Sequence, residues 1–232
     1  MDEESNNYSN RDPLWKLMGS LFRAHPWHGV AIGDAAPEVV TVYIEIVPTD
    51  TVKYELDKWT GILEVDRPQR FSNVCPVPYG LLPQTFCGES VAELFSNRSG
   101  RSGMSGDGDP MDVCVLTEKT ISHSDILLRA APIGGLSMID GEEVDDKIIA
   151  VMKDDIVYGG YRDVVEVPKA VIDRLRHYFL TYKQAPGSVR SKTEITEVYG
   201  RDEALKVIQA SHHDYVKRFA NLEGMLKAAV RC

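Results

Sequence analysis

The sequence predicts an α+β domain, a small closed or highly twisted sheet with helices packed outside it. Strand-like patterns crowd the first two thirds of the chain, helical spacing dominates the last third, and no internal repeat is present. The 232 residues fit one large domain. It divides into an N-terminal extension over 1–37 and a main domain over 38–232.

Asp12-Pro13 supplies an N-cap and a proline at the first helical position. Leu14, Trp15, Leu17, Met18, Leu21 and Phe22 then follow helical spacing, which predicts a short amphipathic helix in the extension. From Val39 the period becomes two, with Val40, Val42, Ile44 and Ile46 on one face and Thr41, Tyr43 and Glu45 on the other. Val52 to Asp57 and Ile62 to Arg67 flank a turn at Lys58-Trp59-Thr60-Gly61, a hairpin in which Lys53, Glu55 and Asp57 share a face. The glycine- and serine-rich stretch that ends residues 88–106 predicts a flexible inserted loop. Short strands are expected at Val113 to Leu116, Ile126 to Ala131, Leu136 to Ile139 and Lys147 to Met152. Two helices follow: Pro168 opens the first, with Val171, Leu175, Phe179 and Tyr182 on one face, and Leu205, Ile208, His212, Tyr215 and Phe219 mark the second.

Composition narrows the function. A formal net charge of −9, with no concentration of basic residues, argues against nucleic acid or anionic lipid as partner. No apolar run reaches the ~20 residues of a membrane helix, and the acidic, polar start lacks the pattern of an export signal, so cytoplasmic residence is the expectation. Cys75, Cys87, Cys114 and Cys232 show no paired spacing and read as reduced thiols.

The chemistry concentrates in Gly106-Asp107-Gly108-Asp109-Pro110-Met111-Asp112, where three carboxylates fall just before an apolar strand. Like charges so close raise each other's pKa, and remaining ionised requires nearby cations. Gly108 and Pro110 bend the backbone so that Asp107, Asp109 and Asp112 can aim at one point. A second acidic run, Asp140 to Asp146 followed by Lys147, also lies at a turn. Oxygen-only ligands on short loops suit hard ions such as Mg²⁺. An EF-hand fails, because Met111 takes a ligand position, Asp112 replaces the turn glycine and Val113 to Leu116 reads as strand. Lys53, Arg67, Tyr79, Lys147, Tyr182 and Lys183 supply groups able to grip phosphate oxygens.

Together these motifs resemble the soluble inorganic pyrophosphatases of the small β-barrel type. The signature Asp-x-Asp-Pro-x-Asp stands as Asp107 to Asp112. Ile44-Glu45-Ile46, Lys53-Tyr54-Glu55, Val65-Asp66-Arg67, Tyr79-Gly80, Asp140 with Asp145 and Lys147, and Tyr182-Lys183 follow in the family's order. The resemblance implies a five-stranded OB-like barrel with flanking helices and hydrolysis of pyrophosphate to two orthophosphates. Mg²⁺ is the implied metal, with Zn²⁺, Mn²⁺ or Co²⁺ as substitutes and Ca²⁺ as inhibitor. By position, Asp107, Asp112, Asp140 and Asp145 become metal ligands, Glu45 and Glu55 steady metal-bound water, and Asp109 is the general base with Tyr79 beside it. Lys53, Arg67, Lys147, Tyr182 and Lys183 hold phosphates. A homo-oligomer is implied as well. The chain departs from many relatives at Cys75, where they carry tyrosine. Its insertion and N-terminal helix resemble the longer chlamydial and protist forms, some of which reside in acidic, calcium-rich vacuoles (acidocalcisomes). Two other readings stand beside this one: a polyphosphatase or nucleotide phosphohydrolase using other divalent metals, and a noncatalytic Ca²⁺-binding protein.

Overall fold

The computed structural model describes residues 23–184, 187 and 192–219. The helix expected over Leu14 to Phe22, and Cys232, lie outside them. In chain order the strands are β1 (Val40–Ile46), β2 (Val52–Leu56), β3 (Leu63–Pro68), β4 (Tyr79–Leu81), β5 (Ser105–Gly106), β6 (Asp112–Leu116), β7 (Ile126–Asp140), β8 (Glu143–Val144), β9 (Lys147–Met152) and β10 (Thr193–Gly200). The helices are α1 (Glu89–Ser99), α2 (Lys169–Thr181) and α3 (Arg201–Phe219).

Strands β1, β4, β6, β9 and β7 pair in that order, and β7 returns to β1, so five strands close a ring. This is the α+β barrel the sequence predicts. All of these contacts are antiparallel except β6 with β9, whose parallel pairing sets Asp112 beside Lys147. The close approach of β4 to β1 requires glycine: a Cβ on Gly80 would lie 1.9 Å from the Tyr43 carbonyl oxygen.

Side-chain alternation along the ring feeds two cores. Val113, Val115, Ile148 and Ala150 join Phe95 of α1 and Val207 and Ile208 of α3. Their neighbours Cys114, Leu116, Ile149 and Val151 join Leu175 and Phe179 of α2. Each such aliphatic side chain, fully withdrawn from water, contributes about 1.5–3 kcal/mol.

Three expectations change. Residues 88–106, expected as a flexible loop, contain helix α1, because Val91, Ala92 and Phe95 share one buried face while the serines and glycines fall at and beyond its end. Two short strands expected over Ile126 to Ile139 are one continuous strand, β7. A register shift between Pro132 and Gly134 lets its first half pair with β1 and its second half with β10. Strand β10 lies between the two closing helices, where no strand was expected; only Thr193 and Tyr199 of its 8 residues are buried, so no alternation marks it. The second face of β1 is covered as well: Tyr43 packs with Trp27, Leu56, Leu81 and Tyr215. The hairpin of β2 and β3 forms as expected, with Gly61 at φ +70° in its turn.

Trp27, in the segment read as an extension, is buried against α3, and its indole donates to Thr85 O at 2.7 Å. Among the described residues no helix is long and apolar enough to cross a membrane.

Helix α1 begins at Gly88, which has no side chain to cap it. Asp214 of α3, itself buried, accepts from Ser90 N at 2.9 Å and from Val91 N at 3.3 Å. Asp214→Ala is therefore expected to cost about 1–2 kcal/mol, measured by urea unfolding. His28 stacks between Trp27 and Tyr215, with His25 and Phe219 closing the cluster, and its Nδ1 lies 2.9 Å from the Tyr215 hydroxyl. Burial, aided by His25, lowers its pKa from 6.5 to about 4. The stability due to neutral His28 is thus complete above pH 6.5 and is lost as pH falls towards 4. His28→Phe is expected to flatten that part of the pH–stability curve, followed by thermal melts.

Candidate active site

Six stretches of the chain bring their polar side chains to one cleft of about 240 Å³ at the mouth of the ring. From β1 and the hairpin come Glu45, Lys53, Tyr54, Glu55 and Lys58; from β4, Tyr79; from the first acidic loop, Asp107, Asp109 and Asp112; from the second, Asp140, Glu143, Asp145 and Lys147. Tyr182 and Lys183, just past α2, complete the lining.

Backbone bonds fix the first acidic loop. Gly108, at φ +78°, donates to Cys87 O at 3.0 Å, and Cys87 N donates to Asp109 O at 2.8 Å. Asp109 N in turn donates to Asp107 Oδ1 at 3.0 Å. A Cβ on Gly106 would fall 2.1 Å from Cys87 O, so the loop can follow this path only with glycine there. The strand that follows carries Asp112 into the cleft.

Electrostatics dominate the interior. Lys147, almost wholly buried, pairs with both Asp112 and Asp145. Burial opposes its charge, but Asp112 and Asp145 outweigh that and hold its pKa well above the usual lysine value. Burial, then Asp145, pushes Asp107 up to about 8; burial, then Asp112, pushes Glu45 up to about 8. Asp145 is also raised, chiefly by burial. Burial and then Asp112 raise the Tyr79 hydroxyl. Glu45 accepts from Leu56 N at 2.8 Å, which ties the hairpin to β1. At the rim, Lys53 bonds Glu55 at 2.6 Å and Asp66 at 2.8 Å, Lys183 bonds Asp140 at 2.6 Å, and Lys58 pairs with Asp109. Lys183 lies 5.5 Å from the Tyr182 ring centre.

Of the residues singled out from sequence, Glu45, Lys53, Glu55, Tyr79, Asp107, Asp109, Asp112, Asp140, Asp145, Lys147, Tyr182 and Lys183 all line this cleft. Arg67 does not: its guanidinium pairs with Asp66 and sits 5.7 Å from the Tyr182 ring centre, at the margin. Sequence reasoning missed Lys58, Asp66 and Glu143. Lys58 looked like an ordinary turn residue, and only the fold of the hairpin over the loop brings it to Asp109. Glu143 was hidden within an acidic run of which only Asp140 and Asp145 were chosen, and Asp66 was quoted only as the neighbour of Arg67.

Eight carboxylates line the cleft against four lysines, and the donors are all oxygens. Among the described residues no three His, Cys, Asp or Glu side chains are gathered tightly enough to hold one ion, since the lysines draw the carboxylates to themselves. The chemistry of the set still suits hard divalent cations. Buried carboxylates with raised pKa values are those that a cation would ionise.

The model of the family described as inorganic pyrophosphatase matches residues 42–216, which contain every residue of this cleft. The chain belongs to the inorganic pyrophosphatase family. It is 54% identical over 200 residues to an inorganic pyrophosphatase of Chlamydia trachomatis serovar L2, covering 84% of this chain and 96% of that relative. A soluble inorganic pyrophosphatase of rice, Oryza sativa subsp. indica, is 38% identical over 81% of this chain and 78% of its own length. The crystal structure of an inorganic pyrophosphatase from Thermus thermophilus superposes with a TM-score of 0.68 at 28% identity, over 83% of this chain and 99% of that one.

Lys147 is the counter-charge for two acids at once. In protein stripped of divalent ions at pH 8, Lys147→Met is expected to lower the unfolding free energy by about 3–5 kcal/mol. Urea titration measures it, and lowering the pH towards 5 should recover part of the loss as the stranded acids protonate.

Proposed function

We propose that this cleft hydrolyses pyrophosphate by direct attack of water, with Asp109 accepting the proton. The convergence of Asp107, Asp112, Asp140 and Asp145 with Lys53, Lys147 and Lys183 in one cleft carries the reading. The family supplies the reaction class: one phosphoanhydride bond is broken and two orthophosphates are released.

Mg²⁺, held by Asp107, Asp112, Asp140 and Asp145 with Glu45 and Glu55 behind them, would supply positive charge that acidifies water and offsets the charge of the substrate. The remaining roles belong to the chain itself. Lys53, Lys147 and Lys183 offer ammonium groups to phosphate oxygens, Lys147 at a depth where water screens it little and the other two from the rim. Each is already paired to a carboxylate, so a phosphate oxygen exchanges one anionic partner for another without stranding the lysine. Tyr182 adds a hydroxyl beside Lys183, and Arg67 closes the rim behind it.

Asp109 is the best placed base. It is part exposed at the cleft mouth, fixed by the Cys87 contacts, and among the described residues its carboxylate is partnered only by the rim lysine Lys58, whereas Asp112 and Asp145 are committed to Lys147. Water attacks one phosphorus, its proton passes to Asp109, and the bridging oxygen leaves with the second phosphate. Tyr79, with its hydroxyl pKa raised, stays protonated and can donate to an oxygen in the cleft. Two or more identical chains are expected to assemble, as symmetric self-association is common among soluble proteins.

Asp109→Asn is expected to reduce kcat by about 10²–10⁴-fold while KM changes little. Orthophosphate release from pyrophosphate with Mg²⁺ measures both. An unvaried protein that releases none with any divalent ion would reject the reading.

A further inference from the structure

Helix α1 and strand β5 occupy residues 88–106 and touch both acidic loops. Gly106 ends β5 and runs directly into Asp107, while β5 pairs in parallel with β8, setting Ser105 opposite Glu143 and Gly106 opposite Val144. Ser105 N also donates to Glu142 O at 3.2 Å. The segment therefore spans from Asp107 to the Asp140–Lys147 loop by main-chain bonds alone.

A side chain reinforces the span. Arg98, in the last turn of α1, donates from Nη2 to Asp146 Oδ2 and to Ser137 Oγ, each at 2.8 Å, and from Nη1 to Glu203 Oε1 at 3.2 Å. Its Nε lies 2.6 Å from Glu197 Oε1, and the guanidinium covers the Tyr199 ring at 4.6 Å. The Arg98 side chain is 11% exposed and that of Asp146 is 1%. Asp146 Oδ1 accepts from Met138 N at 3.1 Å, while Asp145 N donates to Met138 O at 2.9 Å. The Asp146 carboxylate thus takes over as acceptor for a β7 amide at the point where the chain leaves regular pairing. Asp146 stands between Asp145 and Lys147, which both line the cleft, and its own side chain is bonded to α1 and β7 instead.

We propose that Arg98 is a positioning residue: through Asp146 it sets the place of Asp145 and Lys147, so that the 88–106 segment braces one acidic loop against the other. A buried ion pair is a poor way to gain stability, because apolar side chains of similar volume do as well. A planar fork hydrogen-bonded through both Nη atoms and ion-paired at Nε holds one orientation, which an apolar filler cannot do. The brace gives the cleft a spacing between carboxylates that their mutual repulsion would otherwise widen. It rests on the assignment of Asp145 to the metal made above.

The test uses the whole chain. Arg98→Met alone strands the buried Asp146 charge, so Arg98→Met/Asp146→Asn is measured beside it and beside Arg98→Lys: it keeps an acceptor for Met138 N, while Glu197 is 43% exposed and Glu203 retains Lys206. Titration calorimetry with Mg²⁺ alone reads binding, phosphate release against Mg²⁺ concentration reads function, and a thermal melt reads folding. The double variant is expected to melt within about 5 °C of the unvaried protein yet to bind Mg²⁺ about tenfold more weakly. Its half-activating Mg²⁺ concentration is expected to rise in step, with Arg98→Lys falling between. A folded double variant with unchanged Mg²⁺ affinity and half-activating concentration overturns the brace alone. An unvaried protein that takes up no Mg²⁺ overturns the metal assignment, and the brace with it.

Discussion

Mutual repulsion among carboxylates is the constraint to which the rest of this structure answers. Asp107, Asp112 and Asp145 come from two loops that have no reason to approach unless something offsets their charge, and the parallel pairing of β6 with β9 solves this by setting Lys147 beside Asp112. One ammonium group then serves two acids from different loops. The ring closure, the glycines that permit close strand approach and the two cores beneath are what make that juxtaposition rigid enough to persist.

The same constraint explains how the site can serve a polyanion in a protein of net charge −9. A surplus of buried carboxylate repels phosphate until cations enter, after which the sign of the field reverses. The lysines hold an intermediate position. They neutralise acids in the free protein, Lys147 from a buried position and Lys53 and Lys183 from the rim, and in the proposed reaction they turn to phosphate oxygens when a substrate arrives. Polar groups behind the cleft, Glu45 bonded to Leu56 N and Asp146 bonded to Met138 N, attach the site to the main chain of the barrel.

Much of this was legible in the residues. Alternation announced β1 and the hairpin, Pro168 announced α2, and the three carboxylates at 107, 109 and 112 announced the chemistry, because each is a local signal whose cause lies within a few residues. What was illegible depended on partners far away in sequence. Helix α1 has an unremarkable glycine at its start because Asp214, well over a hundred residues on, supplies the cap. The cover over Tyr43 was not readable either, because Trp27 and Tyr215, which pack on it, lie far from it on either side in the chain. Strand β10 shows little alternation of its own, since its order comes from pairing with the bent second half of β7.

By itself the sequence determined the kind of chemistry: hard oxygen donors clustered on bent loops, cationic partners on strands, and a net negative charge that a small anionic substrate must overcome. Only the tertiary structure decided which of those charges meet. Lys147 goes to Asp112 and Asp145, Lys58 reaches Asp109, Arg67 is left at the rim, and Arg98 is drawn into the barrel wall. The physical reason is that charge pairing acts over a few ångströms. Distances between residues tens of positions apart in the chain are set by ring closure and core packing, which no local pattern encodes.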